Sequence, residues 1–296
     1  MCATLALQLT QAVRLPGVLL ALVWWSTALP AQTPEMVEVP AGAYTMGRDD
    51  GPEDERPAHR VDRARFLIDR LPVTNAQFAE FLDAQGLEGI RAGGGGDSAG
   101  SGVSSSGNSG GNSASNRYRR YDDDDNDARI HRVNGRWRAD AGFERHPVNE
   151  VPWAGARDYC AWKNKRLPSE AEWEKAARGT DGRRYPWGNA APDATRAKFA
   201  SGWNTSAAVD AYPAGASPYG VLDMAGNQWE WVSSLYQPYP YRADDGRESL
   251  TADGVRGTRG GGHDSSPAEL TTTQRGRTLS RAPRAGHHNI GFRCAR

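Results

Sequence analysis

Tyr219-Gly220-Val221-Leu222-Asp223-Met224-Ala225-Gly226-Asn227-Gln228-Trp229-Glu230-Trp231 is the stretch around which the rest of the chain is organised. Val221, Leu222 and Met224 form an apolar approach, Gly226-Asn227 marks a turn, and Trp229 and Trp231 then alternate with Glu230 and Val232. Residues two apart on an extended strand share a face, so the pattern predicts a buried strand leaving a tight turn. Asp223 and Glu230 sit among large apolar groups, where an unpaired charge is costly. Two arrangements relieve them. One is a hard cation held by carboxylate oxygens and by carbonyls freed at the turn; the other is pairing with arginines, or exposure.

Working outward, Val37, Val39 and Tyr44 alternate in one strand region and Phe66 and Ile68 in another. The charged residues 49–65 between them read as surface loop. Thr74 or Asn75 caps a helix whose Phe78, Phe81 and Leu82 share one face, and Gly86 ends it. A second helix spans about 153–162, burying Tyr159 and Cys160. Ser169-Glu170-Ala171-Glu172 is a capping box opening a third, with Trp173, Ala176 and Ala177 on its apolar face and Gly179 as its stop.

Composition bounds the partners. The 296 residues carry 36 basic and 36 acidic side chains, a neutrality that argues against a nucleic-acid or anionic-membrane binder. Residues 1–31 read as an export signal: Arg14 is its only charge, 15–25 is a short apolar run, and small residues follow for cleavage after Ala28 or Ala31. The run is short for a membrane span, and retention as an uncleaved anchor is the alternative. Cleavage after Ala31 leaves 296 − 31 = 265 residues, enough for one domain over 32–296, periplasmic or secreted, with no membrane contact. Cys2 leaves with the signal, and Cys160 and Cys294 remain as a disulfide in an oxidising compartment or as two buried thiols. Gly, Ser and Asn predominate over residues 93–116, with little to bury, so an insertion at about 92–128 reads as a flexible excursion within that domain. Its acidic run, 122–127, lacks the spacing of an EF-hand loop and reads as a solvated strip beside Arg117, Arg119 and Arg120.

The opening stretch also resembles the signature of the formylglycine-generating enzyme / sulfatase-modifying-factor family. The resemblance extends in order through Val39-Pro40-Ala41-Gly42 with Met46-Gly47, Pro57-Ala58-His59-Arg60-Val61, Val73-Thr74-Asn75-Ala76-Gln77-Phe78 and His146-Pro147-Val148 to Trp153. It continues through Lys165-Arg166-Leu167-Pro168-Ser169-Glu170-Ala171-Glu172-Trp173-Glu174, Tyr185-Pro186-Trp187-Gly188-Asn189 and Asn289-Ile290-Gly291-Phe292-Arg293-Cys294. It implies a C-type-lectin-like α+β fold of small, irregular antiparallel sheets, a few helices and much loop. Ten tryptophans and 34 glycines suit such a fold. It further implies a Cys160–Cys294 disulfide, and a calcium ion held by the side chains of Asp223 and Glu230 and the carbonyls of Gly226 and Gln228. The family's other calcium site is expected to be absent or altered, because Lys198 stands at its usual asparagine and the loop at 201–208 is short.

Formylglycine-generating enzymes of this family place two cysteines, five residues apart, after a glycine turn to bind Cu(I). Here Gly260-Gly261-Gly262 is followed by Ser265 and Leu270 at those positions, so copper is not expected. His263, Asp264, Ser265, Glu269, His287 and His288 are the candidate cleft residues, of the types that build a two-histidine, one-carboxylate iron site or simply line a polar cleft. Adjacent histidines on a strand face opposite ways, so His287 and His288 do not share an ion without a bend. Arg275, Arg277, Arg281 and Arg284 suit a carboxylate, phosphate or sulfate ligand, or a solvated face. The leading reading is a calcium-stabilised recognition module for a peptide or small anionic ligand. The alternative is a non-heme-iron-type oxidoreductase, resembling relatives in ergothioneine-type sulfoxide synthesis or siderophore maturation. Formylglycine generation on sulfatases ranks last.

Overall fold

A computed structural model of the chain describes residues 35–86, 120–276 and 285–296. The export-signal reading, the Gly/Ser tract and Arg277, Arg281 and Arg284 lie outside the described residues. From Pro34 onward the chain forms one compact unit. Among the described residues no helix is long and apolar enough to cross a membrane.

Among the described residues nine strands and three α-helices are set in long loops. Strands β1 (Met36–Val39) and β4 (Phe66–Asp69) pair antiparallel, as do β2 (Gly42–Met46) and β3 (His59–Arg63). β3 lies inside the charged stretch expected to be loop. It is a strand because Val61 opposes Tyr44 across the ladder while its neighbours Arg60 and Asp62 face outward, an alternation that charge obscured. Helix α1 (Asn75–Ala84) opens with a capping box between Thr74 and Gln77. An unforeseen hairpin follows, β5 (Ile130–Val133) and β6 (Arg136–Ala139), turned by Asn134-Gly135 with positive φ at both residues.

Helices α2 (Trp153–Trp162) and α3 (Glu170–Arg178) fall where their periodicity places them, α3 with the Ser169–Glu172 capping box and Gly179 at its stop. The opening stretch becomes a turn leading into β7 (Trp229–Leu235), the centre of a three-stranded sheet. β8 (Arg256–Arg259) lies antiparallel on one side and β9 (Ile290–Phe292) parallel on the other, a departure from the all-antiparallel expectation.

Both faces of β7 are buried, and its alternation separates two cores. Trp229 and Trp231 face an aromatic cluster with Phe78, Phe81, Tyr159 and Phe292, into which the Cys160–Cys294 disulfide is built. Val232 faces a second cluster with Phe66, Ile68, Trp173 and Met224. Indole nitrogens are satisfied on the way: Trp231 Nε1 donates to Val151 O (2.9 Å) and Trp153 Nε1 to Val232 O (2.8 Å).

The acidic insertion tail is not simply solvated. Tyr121 is buried, its hydroxyl accepts the backbone N–H groups of Arg129 and Ile130 (3.0 and 2.9 Å), and Asp122 N donates to Glu150 O (2.9 Å). Tyr121 is one of several anchors that hold the strip against the body of the protein, with Asn149, Asn204 and Trp203 bonded to Asp127.

Candidate metal centre

The turn before β7 builds the centre. Gly226, at φ +78°, lies so close to Lys198 that a Cβ would meet its carbonyl oxygen at 2.4 Å. Its N–H donates to Gly260 O (2.9 Å), joining this turn to the glycine turn that follows β8. Gly260, at φ +99°, runs against the ring of Trp173. These contacts deliver Asn227 and His263 to each other. The backbone N–H of His263 donates to Asn227 O (2.9 Å), and so does its ring Nδ1 (3.0 Å).

A carbonyl oxygen only accepts, so Nδ1 carries the proton and Nε2 keeps its lone pair. Nε2 is buried without a hydrogen-bond partner. Burial also lowers the imidazole pKa below its usual value, which keeps the ring neutral.

Asp264 and His288 complete a cluster in which one ligand atom from each residue lies within 4.8 Å of the others. Asn289 Nδ2 donates to both Asp264 oxygens at 3.1 Å, and His288 Nε2 lies 3.4 Å from Oδ2. The contact with His288 is the largest of the effects that hold the Asp264 carboxyl down at about 2. His263 is buried, His288 is half-buried and Asp264 faces solvent, so the cluster is open on one side. The exposed Trp203 stacks on His288 with ring centroids 3.5 Å apart. Two imidazoles, one carboxylate and an open face suit a divalent transition metal of the non-heme iron type.

The other cleft candidates separate from this cluster. His287 is outside it; both histidines lie in the turn before β9 and not on a strand, so strand alternation is not what separates them. Ser265 Oγ accepts from Gly262 N (3.0 Å), tightening the glycine turn. Glu269 caps a short 3-10 turn by accepting from Ser266 N (2.7 Å). Leu270 is wholly buried with Tyr185, Ala197 and Ala225. Cys160 and Cys294 are joined to each other, so neither offers a thiolate to Cu(I).

Arg275 is no ligand site. It is 1% exposed and grips Glu170 through Nε (2.7 Å) and a terminal nitrogen (3.0 Å), because a buried guanidinium requires a carboxylate.

The expected calcium set is also divided. Both Glu230 oxygens are taken by Arg293 (2.6 and 2.7 Å), and Oε2 also accepts from Trp173 Nε1 (2.8 Å). The Glu230 side chain is therefore an arginine's counter-ion and not a free cation ligand, which is the arrangement the sequence left open. Asp223 differs: it is buried, with one Asn227 Nδ2 hydrogen bond of 3.2 Å. Burial pushes its carboxyl up to about 7 despite Asn227 and Arg293. Of the expected calcium set, Glu230 is held by Arg293 and Gly226 O accepts from Gln228 N (2.9 Å), which leaves the Asp223 side chain as the buried carboxylate with a single long hydrogen bond.

A pH test follows for Asp223. Its folded value lies above the ordinary 3.8, so the native state holds the proton more tightly than the unfolded chain does. In chelator the protein should lose stability from about pH 4 to pH 7, by on the order of 4 kcal/mol once the group is charged. Asp223→Asn should remove that loss, so its thermal midpoint at pH 8 should exceed the wild type's in chelator, and should fall below it in calcium if calcium stabilises the wild type there. Parallel pH curves for the two proteins would dismiss Asp223 as an uncompensated charge.

Residues 26–296 match the profile of the sulfatase-modifying factor enzyme 1-like domain, and the chain belongs to that family. It is 32% identical to the inactive C-alpha-formylglycine-generating enzyme 2 of Mus musculus, over 95% of this chain and 92% of that protein. It is 36% identical to hercynine oxygenase of Mycolicibacterium smegmatis, over 72% of this chain and 49% of that one. Against the serine/threonine-protein kinase Pkn1 of Chlamydia trachomatis identity is 35%, and the match spans 88% of this chain but only 38% of the kinase. The structure of PvdO from Pseudomonas aeruginosa superposes with a TM-score of 0.63 at 27% identity, covering 89% of this chain and 94% of PvdO. The fold is that of the formylglycine-generating-enzyme family, α+β with small sheets and few helices.

Proposed function

We propose that this protein is a metal-dependent oxidoreductase of its family, with a divalent transition metal of the non-heme iron type held by His263, Asp264 and His288. The carrying observation is the His263 Nε2 lone pair, buried, unpartnered and grouped with a carboxylate and a second imidazole. A ferrous ion there would supply one-electron redox chemistry. The chain's own residues do the rest. Asn227 O sets the His263 tautomer, Asn289 orients Asp264, Trp203 walls one side of His288, and the Asp264 side admits substrate. An oxygenase among the similar proteins supports the class of chemistry. Export is part of this reading, supported by the leader's composition and by a disulfide of the kind oxidising compartments maintain.

The test is metal analysis. Full-length protein stripped by chelator and reloaded anaerobically should take up about one Fe(II) per chain. His263→Ala and His288→Ala should weaken that uptake at least tenfold while Glu269→Ala leaves it unchanged. No stoichiometric uptake, or equal uptake by all variants, would leave the second reading: recognition of a peptide or small anionic ligand without chemistry. That reading draws on Trp203, an indole 66% exposed and stacked on His288 beside the cluster.

A further inference from the structure

Behind Trp203 lies a second group of ligand atoms. Asp125, Asp127 and Glu150 bring one carboxylate oxygen each to within 4.8 Å of the others. Two come from the acidic insertion tail; the third comes from the segment leading into α2. Glu150 is only 1% exposed, its Oε2 has no hydrogen-bond partner, and among the described residues no lysine, arginine or histidine forms an ion pair with any of the three. A buried carboxylate without a donor is costly, and two more anions beside it make it costlier.

The rest of the surroundings keep these groups in place without neutralising them. Asp127 N donates to Asp125 Oδ1 (2.8 Å), and Asn204 Nδ2 donates to Asp127 Oδ1 (3.1 Å). Asn149 Nδ2 donates to Asp127 O (2.7 Å), while its own Oδ1, also buried, has no partner. Asp122 N donates to the backbone oxygen of Glu150, and Glu150 N donates to His287 O (3.1 Å). Every donor here is a neutral amide or indole. Among the described residues no positive charge reaches the group.

We propose that Asp125, Asp127 and Glu150 form a binding site for a hard divalent cation of the calcium type. Oxygen-only donors exclude a preference for soft metals, and the mixture of buried and exposed carboxylates matches the irregular, partly hydrated coordination that calcium accepts. The site is distinct from the Asp223 turn and does not rest on the transition-metal reading, but it reaches that centre. Trp203 Nε1 donates to Asp127 Oδ2 (2.6 Å) while its ring stacks on His288, so an ion on Asp127 holds the indole over the imidazole.

Terbium luminescence excited through tryptophan is the direct experiment, because Trp203 touches one of the ligands. Chelator-stripped full-length protein should give a saturable Tb(III) signal that calcium displaces. Glu150→Gln and Asp127→Asn should each weaken terbium binding at least tenfold. Asp223→Asn and His263→Ala should leave it unchanged, which separates this site from the other two. Glu150→Gln removes a buried charge and should melt no lower than wild type in chelator, so loss of its signal is not loss of fold. No saturable signal, or equal affinity in Glu150→Gln and Asp127→Asn, would overturn the proposal.

Discussion

Replacing Arg259 with methionine is expected to cost about 3–5 kcal/mol, the usual penalty for stripping one partner from a buried ion pair. Arg259 is wholly buried on β8, with terminal nitrogens directed at Glu170, Glu174, Tyr239 and Thr272 O. Removing it leaves Glu174 with Gly47 N (2.7 Å) and long contacts to Arg178 (3.4 Å) and the Tyr239 hydroxyl (3.5 Å). Burial works to raise the neighbouring Glu170 carboxyl, and Arg275 with Arg259 outweighs it, holding Glu170 below its usual value. The same arginine begins the glycine turn that presents His263, so metal uptake should fall with stability. A denaturant series on Arg259→Met, Glu174→Gln and the double variant measures the coupling. If charge is the cause, the double variant is more stable than the sum of the singles predicts. A loss below about 1 kcal/mol for Arg259→Met would mean the network contributes little.

Loss of the disulfide has the other large effect. Cys160 and Cys294 are 134 residues apart, and closing so long a loop contributes up to about 5 kcal/mol in the chain-entropy model. Both sulfurs are buried among Phe78, Phe81, Tyr159 and Phe292, so their removal also loosens the aromatic cluster. The Cys160→Ala/Cys294→Ala protein should melt about 10–20 °C lower than the oxidised wild type. A midpoint within about 2 °C of wild type would show that packing alone holds the end of α2 to the chain terminus.

Local signals were legible wherever they act over a few residues. The Ser169–Glu172 and Thr74–Gln77 capping boxes, the Gly179 stop and the alternation of Trp229 and Trp231 each depend on neighbours within one turn or one strand. β3 was hidden because one inward Val61 among charges is a weak pattern, and the parallel placement of β9 is a long-range choice. The candidate site divides the same way. Its residue types were visible in the 263–288 region, but His287 and His288 sit in the turn before β9, where strand alternation does not decide which of them joins the cluster. Arg275 looked like a ligand group because nothing nearby in the chain marks Glu170 as its partner.

By itself, then, the sequence determined the family, the helices and their caps, and the replacement of sulfur donors by Ser265 and Leu270. The tertiary structure decided which polar groups are spoken for. Arg293 claims Glu230, Asn227 O claims one nitrogen of His263 and leaves the other bare, and Glu150 meets the acidic strip with no counter-ion among the described residues. The reason is physical: a cap or an alternating strand is set by local geometry, whereas the availability of a lone pair depends on donors brought from distant parts of the chain.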